Sequence, residues 1–231
     1  LYGLEECINV PQLNISNNGS LNLTAKLFIN DYINSPEYTL EINRLQANAR
    51  LQHYITQELN GQAKEISPIL TRLDTVNLSG QVRFSKESQS ATLNLNNRLA
   101  GIRISSSARN WNQFKANITS PKIDLAKLLS DNGRHTLNHT SLDISASGVL
   151  KDKNGKPHIN IHTILPLLCI QEREYRNLDI KTTLAGNTIS VDAEGKDNEG
   201  EIRSHLTLTN GLRRHLQGTL QIENFRTERL G

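Results

Sequence analysis

No methionine occurs among the 231 residues, and there is one tryptophan, Trp111. Aromatic residues make up 4% of the chain and hydrophobic residues 36%, both below the usual globular share, so a core built on large aromatic plugs is excluded. A formal net charge of +3 is too small for a nucleic-acid binder, which clusters Lys and Arg with stacking aromatics. The C-terminal cations Arg203, Arg213, Arg214, Arg226 and Arg229 are diluted by Glu223 and Glu228, and they read as a solvated strand edge. The two cysteines, Cys7 and Cys169, are too few for a disulfide framework. They form either one bridge in an oxidising compartment or two separate packed thiols. No apolar run approaches the ~20 residues of a membrane helix. The longest, Ile164–Ile170 (ILPLLCI), is short and carries Pro166. The chain does not open on methionine, and it reads as a segment of a larger protein whose membrane anchor lies elsewhere.

Low hydrophobicity does not mean disorder here, because the apolar residues alternate. Leu21, Leu23, Ala25, Leu27 and Ile29 share one side of an extended segment, with Phe28 breaking the polar side. Val76, Leu78, Gly80, Val82 and Phe84 repeat the pattern, as do Leu142, Ile144, Ala146, Gly148 and Leu150. Leu178, Ile180, Thr182 and Leu184 follow, then Ile189, Val191 and Ala193. Ile202, Ser204, Leu206 and Leu208 come next, and Leu216, Gly218, Leu220 and Ile222 close the series. Asn17–Gly19, Asp152–Gly155, Gly186–Asn187, Asp197–Gly200 and Asn210–Gly211 supply hairpin turns between such segments. Tight turns join antiparallel neighbours, so the expected fold is mainly β, with antiparallel hairpin repeats forming an elongated, curled sheet. Two short amphipathic helices are expected: Gln62–Asp74, with Ile66, Ile69, Leu70 and Leu73 at helical spacing and Pro68 near its N-terminus, and Pro121–Asp131, with Leu125, Leu128 and Leu129 on one side and Asn132-Gly133 as its stop.

Each expected helix leads into an alternating strand that contains a glycine, Gly80 in the first and Gly148 in the second. This points to an internal repeat, with units over residues 1–60, 61–120 and 121–221 and a further unit opening near 222. In Ile164–Ile170 both faces are apolar, so this strand is either covered on both sides, with Pro121–Asp131 as one cover, or placed at a contact.

Catalytic patterns are missing. There is no phosphate loop, dinucleotide fingerprint or nucleophile elbow. Cys169 lies in an apolar run, where a thiol is packed rather than reactive. His135/His139 and His158/His162 are spaced four apart, but no further ligands complete a zinc site. The two Asp-rich turns lack calcium-loop spacing and a terminal bidentate Glu. Asn-x-Ser/Thr triplets such as Asn14–Ser16, Asn22–Thr24 and Asn117–Thr119 follow from the abundance of those residues. A carbohydrate-active site would need paired carboxylates beside aromatic platforms, and Trp111 alone is a poor platform. No catalytic, metal or cofactor residue is therefore assigned, and the chain is expected to be no enzyme. The candidate functional residues are instead the apolar side of the strands: Leu21, Leu23, Leu27, Val76, Leu78, Val82, Phe84, Leu142, Ile144, Leu178, Ile180, Leu184, Ile189, Val191, Leu206, Leu208, Leu220 and Ile222.

Three stretches carry a family resemblance. They are Tyr175–Phe225 (YRNLDIKTTLAGNTISVDAEGKDNEGEIRSHLTLTNGLRRHLQGTLQIENF) and the joins ISPILTRLDTVNLSGQV and IDLAKLLSDNGRHTLNHTSLDISASGVL. Most of the chain resembles the TamB/AsmA-like superfamily, and in texture the large TamB-like proteins of Bacteroidetes-type bacteria. The resemblance implies a periplasmic segment of an inner-membrane-anchored protein, its strands curled into a long groove (a β-taco). It implies a role in moving phospholipid to the outer membrane, in outer-membrane protein assembly, or in both. The implied partners are phospholipid acyl chains and an outer-membrane assembly factor, with no cofactor and no catalytic residues. The competing expectation is a structural or adhesive β-solenoid or sandwich with a closed core and no lipid role.

Overall fold

In a computed structural model of the chain, residues 7–48, 75–124, 127, 137–170, 173–197, 200–210 and 214–223 are described. The protein is mainly β. Its strands are β1 (Cys7–Asn17), β2 (Leu21–Asn30), β3 (Glu37–Ala47), β4 (Val76–Phe84), β5 (Ser88–Asn96) and β6 (Gly101–Arg109). Then come β7 (Gln113–Ile123), β8 (Leu137–Val149), β9 (His158–Ile170), β10 (Arg173–Ala185), β11 (Thr188–Asp197), β12 (Gly200–Asn210) and β13 (Arg214–Glu223). They form a single 13-stranded sheet in chain order, with β1 and β13 at its edges. Two compact units divide the chain: Leu1–Trp111 with Asp124–His135, and Asn112–Ile123 with Thr136–Gly231. The first holds β1–β6 and the second β7–β13.

The turns form where Gly and Asn accept a left-handed backbone. Asn18 (φ 37°) and Gly19 (φ 71°) turn β1 into β2, Gly155 (φ 74°) lies between β8 and β9, and Gly186 (φ 60°) turns β10 into β11.

Three prolines lie inside strands, and each falls where a ladder is interrupted. Pro11 sits in the register shift between Val10 and Leu13 of edge strand β1, and Pro121 in the shift between Ser120 and Ile123 of β7. Pro166 of β9 faces the shift between Thr140 and Asp143 of β8, and it is also the skipped position opposite Asn177 of β10. Proline donates no backbone hydrogen bond, so it survives in a sheet only at such gaps. Side chains repair two of the gaps. Thr140 Oγ1 donates to the Leu167 carbonyl at 2.7 Å, and Ser141 Oγ accepts from Leu167 N–H at 3.1 Å. Ser120 Oγ donates to the Lys122 carbonyl at 3.1 Å. Both Thr140 and Ser120 are buried, which makes these bonds costly to lose.

The expected helix at Pro121–Asp131 starts too early. Pro121, Lys122 and Ile123 belong to β7. The helical backbone appears at Lys127, whose N–H donates to Asp124 Oδ1 at 3.1 Å, so Asp124 is the capping residue. Leu125, Leu128 and Leu129 carried the helical spacing, and that spacing does not mark where the preceding strand ends. The remainder of this segment and the whole expected helix at Gln62–Asp74 lie outside the described residues. Of the alternatives for the cysteines, Cys7 is a free, exposed thiol, donating to Asn30 Oδ1 at 3.3 Å.

Gly80 and Gly148, the glycines of the expected repeat, occupy matching surroundings. A methyl on Gly80 would strike the Thr92 carbonyl of β5, and one on Gly148 the His158 carbonyl of β9. Gly195 differs: its methyl would meet only the movable end of Leu178. Gly80→Ala and Gly148→Ala are expected to destabilise the chain by about 2 kcal/mol or more, and Gly195→Ala by less than about 1 kcal/mol. Urea unfolding of the three variants checks the order, and equal losses would contradict it.

Candidate functional site

Residues directly opposite on neighbouring strands share a face of the sheet, so the ladders define which side chains stand together. In the first unit they form rows that cross every strand from β1 to β6. One row is Ile15, Leu23, Leu45, Leu78, Leu95 and Ile102. The next is Leu13, Ala25, Ile42, Gly80, Leu93 and Ile104, followed by Val10, Leu27, Leu40, Val82, Ala91 and Ser106. The last is Ile8, Ile29, Tyr38, Phe84, Gln89 and Ala108, in which the Tyr38 and Phe84 rings stack at 4.6 Å.

The second unit repeats the arrangement. Phe114, Gly148, Ile159, Leu184, Ile189, Leu208 and Leu216 make one row. Ala116, Ala146, Ile161, Thr182, Val191, Leu206 and Gly218 make the next, and Ile118, Ile144, Thr163, Ile180, Ala193, Ser204 and Leu220 the third. Leu142, paired with Ser120, and the pairs Leu165–Leu178 and Ile202–Ile222 extend this face at its other end.

Every candidate residue therefore stands on one of two apolar walls. Leu21, Leu23, Leu27, Val76, Leu78, Val82 and Phe84 are on the first. Leu142, Ile144, Leu178, Ile180, Leu184, Ile189, Val191, Leu206, Leu208, Leu220 and Ile222 are on the second. Residues that the alternation did not reveal join them: Ile8, Val10, Leu13 and Ile15 of β1, Leu40, Ile42 and Leu45 of β3, Leu93 and Leu95 of β5, and Ile102 and Ile104 of β6. In β1 and β3 a bulge flips the phase of the alternation midway. In β5 and β6, Ala, Ser and Gln hold wall positions and thin the apolar signal.

The walls are not sealed. Among the described residues only Ala25, Leu99, Ala100 and Ile123 are buried hydrophobics, and no large side chain is fully buried. Leucines and isoleucines of β2, β3 and β4 are half-buried, held by their row neighbours and lacking a second layer among the described residues. At edge strand β13 exposure rises to 68% for Leu216 and 67% for Leu220. In Ile164–Ile170, Ile164, Leu165, Leu167 and Leu168 are half-buried, and the expected cover, Pro121–Asp131, lies mostly outside the described residues.

The opposite face is polar, and in the second unit it carries several ion pairs. His162 and Asp179 meet at 2.9 Å, His205 and Asp192 at 2.6 Å, and Arg203 contacts both Glu194, at 3.5 Å, and Glu201. Glu201, and then Glu194 and Glu223, hold the Arg203 guanidinium above its ordinary value. Hollows of about 310 and 490 Å³ lie over this face, lined by these ion pairs and by Lys115, Asn117, Asn160 and Thr183. No group of three or more metal-ligating side chains occurs among the described residues. His158 and His162 point to the polar face, each engaged by an aspartate. The chain matches no family model, no curated protein and no solved structure.

Asp152 organises the β8–β9 turn. Its carboxylate accepts from Lys156 N–H at 2.9 Å and Asn154 N–H at 2.7 Å, and it meets His158 at 3.1 Å. The Lys156 bond leads in holding the Asp152 carboxyl below its ordinary value. Such a group stabilises the fold above the unfolded value of about 3.9, and the contribution disappears as pH falls through the lower folded value. Amide protection at Asn154 and Lys156 is therefore expected to drop in acid in the wild type. In Asp152→Asn it is expected to be weaker and flat across that window. An unchanged acid profile in the variant would contradict this role.

Proposed function

We propose that the chain is a segment of a periplasmic, TamB-like envelope protein whose apolar walls carry phospholipid acyl chains between membranes, alone or in support of outer-membrane protein assembly. The observation that carries this reading is the partial exposure of the rows. A largely aliphatic surface crosses six strands in the first unit, another crosses seven in the second, and each stays partly open among the described residues. Covering one half-exposed leucine yields on the order of 1 kcal/mol, so a tail lying along a row gains several. The wall is shallow, aliphatic and almost free of charge. Such a surface holds many alkyl chains weakly and lets them slide, whereas a recognition site is a deep pocket with a few placed polar groups.

The test uses photo-reactive side chains on the two faces. Groups placed at Leu206 or Leu220 are expected to cross-link phospholipid in cells, while groups at His205 or Thr219, on the opposite face, are not. Leu208→Asp is expected to lower the cross-link yield at Leu206 by about tenfold, since a carboxylate under a tail is strongly unfavourable, with the strand signal in circular dichroism retained. Equal labelling from both faces, or an unaffected Leu208→Asp in a folded chain, would overturn the reading.

A further inference from the structure

Every described aromatic residue of the first unit lies at one end of its strands. Phe28 is two positions before the end of β2, Tyr32 is in the β2–β3 turn, and Tyr38 is the second residue of β3. Phe84 closes β4, and Trp111 follows β6. The opposite end carries polar turns: Asn18-Gly19-Ser20, and Asn97, whose Oδ1 accepts from Leu99 and Ala100 N–H. In a chain so poor in aromatics, this places them along one rim, which spans β2 to β6, about 19 Å at ~4.8 Å per strand.

The rim is ordered. Asn110 N–H donates to the Glu87 carbonyl at 2.8 Å and Trp111 N–H to Gln89 Oε1 at 3.4 Å, fixing the Trp111 turn against the β4–β5 turn. The large side chains remain outside: Trp111 is 66% exposed, Ile33 56%, and Tyr32, Phe28 and Phe84 about 40%. Trp111 has a φ of 53°, a left-handed conformation that suits glycine or asparagine and not a bulky aromatic. Turn formation gives no reason for tryptophan there, so the side chain serves something outside the sheet. Among the described residues the rim is also electrically balanced, with Arg83, Lys86 and Arg109 against Asp31, Glu37 and Glu87.

From this placement we infer that the rim of the first unit, formed by the β2–β3 and β4–β5 turns and by Trp111 at the end of β6, is a docking edge for a lipid bilayer surface. Aromatic side chains with a polar tip concentrate at the headgroup level, where one end is wet and the other apolar. Balanced charge fits zwitterionic headgroups rather than a polyanion. The aromatics also wrap both faces of the edge. Phe28, paired with Asn9 and Thr39, stands on the polar face, while Tyr38 and Phe84 stand on the apolar wall. A single lipid lying on the wall would leave Phe28 without purpose, and a bilayer surface meets both sides. The last row of the wall ends at this rim, so a lipid leaving the membrane would pass from one to the other. The inference does not depend on the wall carrying lipid.

Trp111 is the only tryptophan, so its emission reports this edge alone. Neutral phosphatidylcholine–phosphatidylethanolamine vesicles added to the 231-residue chain are expected to shift its emission to the blue. Lipids brominated at shallow tail positions are expected to quench it, with little effect of added salt. Trp111→Gly, which suits the turn, is expected to fold normally and to sediment with vesicles at least tenfold less, and Ile33→Asn likewise. Emission unmoved by vesicles, binding lost steeply with salt, or full sedimentation of Trp111→Gly would each overturn the docking edge. Leu78→Asp, in the wall, is expected to keep the emission shift while losing uptake of monomeric short-chain phospholipid. Normal uptake together with a retained shift would count against the wall alone.

Discussion

A strand sends successive side chains to opposite faces, while its backbone groups find partners only in the plane of the sheet. These two facts govern this molecule. Each antiparallel ladder satisfies its own backbone and aligns the apolar residues of one strand with those of the next. The in-plane requirement is met by neighbouring strands, most of them joined by short turns, and hydrogen bonding asks for no second layer. What remains is an aliphatic face bound only to itself along the rows. With Ala25, Leu99, Ala100 and Ile123 as the buried hydrophobics among the described residues, stability rests on ladder continuity and cross-strand contact rather than on a deep core.

A structure of that kind is sensitive to small breaks in the ladder and handles them explicitly. Pro11, Pro121 and Pro166 each fall at a register shift or skipped pair. Thr140, Ser141 and Ser120 replace lost backbone partners with hydroxyls. Gly80 and Gly148 allow the neighbouring strand to come closer than any side chain permits. The wall stays continuous across these points because a bulge absorbs the extra residue and returns the following side chains to the same face, as at Leu13 after Val10 and at Leu45 after Ile42.

The pattern of residues made much of this legible. The alternation from Val76 to Phe84 corresponds to β4 residue for residue, and those of Leu21–Ile29, Leu178–Leu184 and Leu216–Ile222 fall within β2, β10 and β13. The oddity of Phe28 was visible too, as an apolar residue on the polar side. Strands β1 and β3 were hidden because alternation does not survive a bulge. Strands β5–β7 were hidden because Ala, Ser and Gln weaken it. The helix expected over Pro121–Asp131 begins later than its apolar spacing suggested, because β7 runs on to Ile123 and the cap at Asp124 marks the change. The rim of aromatics was unreadable from the sequence, since it depends on which turns share an end of the sheet.

The walls, the polar face and the rim together describe a sheet with different chemistry on each surface: aliphatic, paired and polar, and interfacial. The account stands on the first of these being open. Nitroxides at Leu40, Leu78 and Leu93, in a chain with Cys7 and Cys169 replaced by serine, measure this directly through relaxation by molecular oxygen. Open walls predict ready collision with oxygen at all three positions and a marked fall when phospholipid is added. Immobile labels that oxygen does not reach, with or without lipid, would mean a sealed interior and would contradict the account.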